Sequence, residues 1–227
     1  MIRSRTIAPL VELHASEGCN SCPSANRWLF KMKADPALVA LAFHVDYADR
    51  IGWEDRFAKA AFTKRQVLQQ SSNGERFGHT PQVIVDGQDR RNWPQAPTAA
   101  PAGSRPSAEV ESALSRETQI HLATIAHSAT IVPSARTPDR LSPHGVVAEQ
   151  GHITTVEAGE NVDVTLQRDY VVHDYEPVAA WEARAGAERK LQCRPVSLAE
   201  AAHPRSMTLV VVDAASGRPL QALKLGC

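Results

Sequence analysis

Two observations predict the fold class as an α/β N-terminal part joined to a C-terminal antiparallel, sandwich-like β part. The first is the stretch Ser16-Glu17-Gly18-Cys19-Asn20-Ser21-Cys22-Pro23, with an apolar run (Ile7 to Leu13) leading in and a helix-patterned segment leading out. The second is a change of texture near Thr118, beyond which short β-prone runs alternate with turn residues. The expected division is residues 1–117 and 118–227.

Ile7 to Leu13 reads as a buried strand ending at the cysteine loop. From Cys22 to Lys33 the apolar residues Ala25, Trp28, Leu29 and Met32 recur at helical spacing, so one helix face is packed. Pro23 suits the first turn, where its missing N–H has no helical partner. Asp35-Pro36 ends the helix. Ala37 to Val45 is apolar without alternation, as in a central strand covered on both faces. Asp46 to Trp53 is a polar loop, Phe57 to Gln70 a helix, and Ser71-Ser72-Asn73-Gly74 its breaker. Thr80-Pro81 opens a strand over Gln82 to Val85, and Asp86-Gly87 is a hairpin turn leading towards Trp93. Strand, CxxC, helix, strand, helix, Pro-led strand and hairpin is the order of a thioredoxin-like α/β core. Pro94 to Pro106 is an exposed Pro/Ala-rich insertion, and Ser107 to Arg116 reads as a short helix closing the first part. In the second part Ile120 to Ile125, Ala129 to Val132 and Ile153 to Val156 are strand candidates. Val162, Val164 and Leu166 alternate with polar residues as in a strand with one wet face. Thr208 to Val212 and Leu220 to Leu225 flank Ser216-Gly217 as a hairpin.

The 227 residues suffice for one large folding unit or two small ones. Lys plus Arg and Asp plus Glu number 25 each, so the net charge is zero and nothing predicts nucleic-acid binding. No stretch is apolar for long enough to span a bilayer, so no transmembrane segment is expected. Met1 to Pro9 is basic without an apolar core, so no signal peptide is read in this chain. An exported protein and a cytoplasmic one both stay open at this point. Four cysteines do not make a disulfide scaffold: Cys19 and Cys22 form the motif, and the distant Cys193 and Cys227 could pair within the β part. No phosphate loop, nucleophile elbow or dinucleotide fingerprint appears, and no cofactor is expected.

Two cysteines separated by two residues at a strand-to-helix turn can close a small disulfide ring or share a soft metal. Cys19 falls just ahead of the first helical turn, where unpaired N–H groups and the helix dipole stabilise a thiolate. It is the expected nucleophile of thiol–disulfide exchange, Cys22 the resolving thiol, and a protein or small-molecule thiol or disulfide the substrate. The alternative is a static disulfide stapling the helix start. The spacer Asn20-Ser21 has neither proline nor charge, and potentials in this class span on the order of 150 mV, so reductant and oxidant are not distinguished. Thr80 and Pro81 are the second element. A cis-proline is expected to face the cysteine loop, with Thr80 offering backbone pairing to an extended substrate; the alternative is an ordinary trans-proline. His79 would then lie near the sulfurs, to carry a proton or stabilise the Cys19 thiolate, or else be an exposed loop residue. His44, Asp46 and Tyr47 fall at the carboxyl end of the central strand, the ligand side of an open α/β sheet. Asp46 could take a proton during resolution with His44 hydrogen-bonded to it; otherwise His44 is a satisfied core residue and Asp46 a loop cap. Trp53 reads as a lip over the site or as a packed aromatic, and a charge on Glu17 would resist a thiolate at Cys19. A different function class is Cu(I) binding or delivery by Cys19 and Cys22 with His14, His44 or His79, because thiolates select soft metals. A third is a redox-inert scaffold that only binds a partner. The oligomeric state is not legible.

Five stretches, SEGCNSCPSA (16–25), AFHVDYADRIGWEDRFA (42–58), FTKRQ (62–66), TPQVIVDG (80–87) and AGENVDVTLQRDYVVHDYEPVAAW (158–181), resemble a bacterial thioredoxin-like family catalogued as domain of unknown function 1223. The resemblance touches both halves of the chain. It implies a thioredoxin-like domain followed by a β domain, in proteins that are exported, and hence a periplasmic or secreted location. It implies no particular reaction. Against the family pattern, His14 and His79 stand where aromatic residues are usual, Ala48 replaces a Trp, and 94–106 is extra.

Overall fold

The structure, a computed structural model, describes residues 2–4, 6–32, 38–95, 105–106, 110–119, 124–197 and 203–226. The run feeding the cysteine loop becomes β1 (Leu10–Ala15), which starts later and ends two residues further on than Ile7 to Leu13, and the second apolar run contains β2 (Val39–His44), parallel to it; every residue of both strands is buried. Burial on both faces requires cover on both. α1 (Cys22–Lys31), with Pro23 in its first turn, lays Ala25, Trp28 and Leu29 against Val11, Leu13 and Ala15. α2 (Ala60–Ser72) covers the opposite face, where Phe62 joins Leu10, Leu41 and Phe43. The Pro-led strand β3 (Gln82–Val85) pairs antiparallel with β1 and turns through Asp86 and Gly87, both at positive φ, into β4 (Gln88–Asp89).

The C-terminal strands extend this same sheet. β5 (His144–Glu149), β6 (Val171–Pro177), β7 (Arg205–Val212) and β8 (Pro219–Gly226) pair antiparallel with one another. β6 then runs parallel to β2, with Val171 opposite Ala42 and the Ala42 N–H donating to Tyr170 O at 2.7 Å. The result is one eight-stranded mixed sheet in the order β8-β7-β5-β6-β2-β1-β3-β4. A four-stranded antiparallel sheet (Ile2–Ser4, Val110–Gln119, Thr124–Pro133, Arg189–Ser197) packs Ala129 and Ile131 against Val147, Leu209, Val211 and Leu220. The described residues are thus mostly β, with two α-helices and a large mixed sheet.

Three local expectations change. Of the helix expected over Ser107 to Arg116, the described residues are strand instead: Val110–Gln119 pairs along ten residues with Thr124–Pro133. Pairing with a neighbour overrides the helix-forming residues of this segment, whose intrinsic preference is only a weak prior. This strand also straddles the expected boundary at 117/118. In the alternating segment the strand is Thr165–Arg168; Val162 and Val164 stay exposed, and the buried positions are Leu166 and Arg168. The polar loop after β2 is a 3-10 helix, Asp46–Ile51, ended by Gly52 at φ 104°. Of the insertion, residues 96–104 lie outside the described residues, and Arg105–Pro106 pairs with Thr6–Ile7.

Candidate functional site

The loop from β1 to α1 turns twice, with the Cys19 N–H donating to Ser16 O and the Cys22 N–H to Cys19 O. This sets Cys19 just before α1 and Cys22 at its first residue, both as free thiols. Cys19 keeps 5% of its surface exposed and Cys22 none. The Thr80–Pro81 bond is cis, and Thr80 O faces the loop, 3.7 Å from Cys19 Sγ and 3.4 Å from Ser21 Oγ. Cys19 Sγ also lies 3.2 Å from Ser21 Oγ. A hydrogen bond from Cys22 is the main cause that draws the Cys19 thiol down to about 5, against burial and with help from Ser21 and Thr80. Burial, then the neighbouring Cys19 sulfur, pushes the Cys22 thiol well up. The two sulfurs are therefore unequal, one poised as a thiolate and the other as a covered thiol.

Glu17 does not turn its charge on Cys19. Its side chain is fully buried, accepts from Trp53 Nε1 at 3.1 Å, and faces Arg168 Nε at 3.5 Å. Trp53 is thus neither a free lip nor a simple packed ring. Arg168 is itself buried, and among the described residues its three guanidinium nitrogens find no hydrogen-bond partner beyond that 3.5 Å approach to Glu17. Burial lowers its pKa, and the nearby Glu17, Asp55 and Cys22 oppose that shift.

The expected His44–Asp46 pairing is absent. His44 Nδ1 meets Asp55 Oδ2 at 2.5 Å, whereas the Asp46 carboxylate accepts from Thr63 Oγ1 at 2.5 Å. The reason is the 3-10 turn after β2, which carries Asp46 towards α2, while Asp55 folds back beneath the cysteine loop to accept from the Glu17 N–H at 2.7 Å and the Phe57 N–H at 2.9 Å. Burial pushes Asp55 up, but its interaction with His44 and these donors outweigh it and hold the carboxyl at about 2. Asp55 is the central acceptor that sequence reasoning missed. Burial first, and then both sulfurs, raise the Tyr47 pKa.

His14 lies on the α2 face of the sheet, opposite the cluster that holds Cys19 and Cys22. It is fully buried, stacked on Phe43 at 5.5 Å, with Nε2 2.5 Å from Gln69 Oε1; burial dominates and takes its pKa to about 3. Because Gln69 Nε2 donates to Glu12, Gln69 Oε1 is an acceptor, so His14 donates from Nε2. His79 is half-buried beside the cis bond, and its carbonyl accepts from Gln66 Nε2 at 2.9 Å. Among the described residues no three His, Cys, Asp or Glu side chains gather as a metal site. The Cys193 side chain and Cys227 lie outside the described residues, as does their expected pairing.

The far half of the chain closes the loop. Asn161 Nδ2 donates to Glu17 O at 2.7 Å and Cys19 O at 2.9 Å, and the Asn20 N–H donates to Glu160 Oε2 at 3.1 Å. No local pattern announces these residues, although Asp55, Asn161 and Arg168 all fall within the stretches that carry the family resemblance.

The fold and the site together define a mostly β protein with a large mixed sheet and a CxxC pair at a helix start. Residues 10–212 match the family described as Protein of unknown function (DUF1223), and this chain belongs to it. No curated protein matches the sequence. Similar solved structures include an X-ray structure of a protein from Agrobacterium tumefaciens, 21% identical, with a TM-score of 0.63 over 98% of this chain and 95% of that one. HBP35 of Porphyromonas gingivalis is 12% identical, with a TM-score of 0.67 over 98% of this chain and 76% of that one. At these identities the likeness is one of fold. Among the described residues no helix is long and apolar enough to cross a membrane.

Proposed function

We propose that this protein is a thiol–disulfide oxidoreductase built on a thioredoxin-like scaffold, with Cys19 as nucleophile and Cys22 as resolving thiol. The observation that supports it most is the inequality of the pair: the thiol drawn down to about 5 is the one with exposed surface, and its partner is covered. In the reducing direction the Cys19 thiolate attacks one sulfur of a substrate disulfide. That S–S bond breaks, a mixed disulfide forms, and one substrate thiolate leaves. Cys22 then gives up its proton and its sulfur attacks Cys19 Sγ, closing the 19–22 disulfide and expelling the second substrate thiolate. Two electrons pass to the substrate, whose two thiolates take up one proton from Cys22 and one from solvent, which received the Cys19 proton when the thiolate formed. Run backwards, the same steps oxidise a dithiol. The family resemblance supports an exported protein.

The test is insulin reduction with dithiothreitol as electron source, with the 19–22 reduction potential measured in glutathione buffers. Wild type should turn over, Cys22→Ser should stall as a mixed disulfide, and Cys19→Ser should be inactive. Absence of turnover, with a potential far below any cellular thiol pool, would leave only a structural staple.

A further inference from the structure

The cysteine loop is held from two sides. On one side Cys19 Sγ and Ser21 Oγ face Thr80 O. On the other, Asn161, 4% exposed, spends its amide on Glu17 O and Cys19 O, the carbonyls that flank Gly18. An asparagine amide has two N–H donors, and these two bonds use both. The exposed Glu160 adds a third tie at the Asn20 N–H. The short turn Gly159–Asn161 that carries both residues is seated against Ile51, Gly52 and Trp53. A Cβ at Gly159 would lie 3.2 Å from Ile51 O and 3.3 Å from Gly52 C, and φ is +75°, so glycine is what lets the turn approach this closely.

We infer that Asn161 is a positioning residue of the redox centre, so that the C-terminal half of the chain is a working part of the site and sets the poise of the Cys19/Cys22 pair. The argument is one of which state needs the clamp. In the disulfide the covalent ring itself constrains the loop, because sulfur–sulfur geometry is narrow. In the dithiol no such bond exists, and the arrangement that keeps Cys19 Sγ beside Ser21 and Thr80 rests on the backbone being held at residues 17 and 19. Loss of the Asn161 donors therefore weakens the dithiol more than the disulfide. The inference rests on the thiol–disulfide reading for its biological meaning, but it is measured on the pair itself.

The experiment uses the full chain as wild type, Asn161→Asp, Asn161→Ala and Glu160→Ala. Two quantities are read: the 19–22 equilibrium with glutathione, and the rate of the first thionitrobenzoate release when the reduced protein attacks 5,5′-dithiobis(2-nitrobenzoate). Asn161→Asp keeps the volume and sets an acceptor against two carbonyls. It should shift the equilibrium about tenfold towards the disulfide, which is about 30 mV, and slow the first release about tenfold. Glu160→Ala should shift both about threefold. Near-UV circular dichroism reports which variants are folded. If neither Asn161 variant folds, Glu160→Ala decides, because its side chain is exposed. An unchanged equilibrium in the folded variants, or a shift towards the dithiol, overturns the inference. Wild type that fails to reduce insulin would sink the proposed function and leave these pair measurements standing.

Discussion

At the scale of single residues, the chemistry concentrates in how two sulfurs of the same type come to differ. Cys19 gains hydrogen bonds to its charged form and keeps a sliver of exposure; Cys22 sits one residue into α1 with no exposure. With a thiol at about 5, Cys19 is ionised throughout the neutral range. Iodoacetamide should therefore alkylate Cys19 at least tenfold faster than Cys22 at pH 7, at a rate nearly flat from pH 6 to 8, where an ordinary thiol would gain about tenfold per pH unit. Equal or inverted labelling, read by mass spectrometry, removes the nucleophile assignment. The sign for stability follows from the same shift. A thiol depressed from 9.0 stabilises the folded, reduced protein fully above pH 9, and that contribution fades as pH falls towards about 5. The pair and Thr80–Pro81 were legible because spacing and residue type alone announce them. Asp55 was not: Asp46 lay at the strand end where a carboxylate was sought, and only the 3-10 turn decided which aspartate returned to the loop.

At the scale of elements, α1 and α2 illustrate two ways to hold a helix. α1 packs the apolar stripe that its sequence displays. α2 instead buries Phe62 together with Arg65, Gln66, Gln69 and Gln70, a face no hydrophobic periodicity reveals. Three of those polar groups, Arg65, Gln66 and Gln69, are matched on the sheet. Arg65 donates through Nε at 2.8 Å and through a second nitrogen at 2.5 Å to Glu12 Oε1, Gln69 also donates to Glu12, and Gln66 reaches Gln82 at 3.0 Å. Burial lowers the Arg65 pKa, but Glu12 and Tyr175 more than offset it, so the guanidinium stays charged. Breaking such a pair from one side strands a buried charge. Arg65→Met or Glu12→Leu alone should each cost about 3–5 kcal/mol in urea unfolding. Together they should cost only about 1–3 kcal/mol, the remainder being the Gln69 amide left without its acceptor. A double variant less stable than either single one would refute this account.

At the scale of the whole molecule, the decisive contact is the seam between β6 and β2. Because β6 lies beside β2, the cluster around Phe43 takes Val146, Val172 and Val210 from the C-terminal half, and Phe43 meets the Tyr175 ring at 5.9 Å. A fragment of residues 1–117 would leave β2 as a bare, apolar edge and Phe43 half uncovered. It should show no cooperative urea transition and poor amide dispersion in NMR; a fragment with both would establish that the first part folds by itself. By itself the sequence determined the cysteine pair at a helix start, the strand–helix order of the first part, the Asp86-Gly87 turn and the β character of the second. These signals are local, since periodicity and turn chemistry act over a few residues. Only the tertiary structure decided that both halves share one sheet, that Val110–Gln119 is a strand, and that Asn161, Arg168 and Asp55 gather at the cysteine loop. Strand neighbours and buried hydrogen bonds are chosen by which surfaces exclude water together. Here that choice joins residues more than a hundred positions apart, where no short-range pattern reaches.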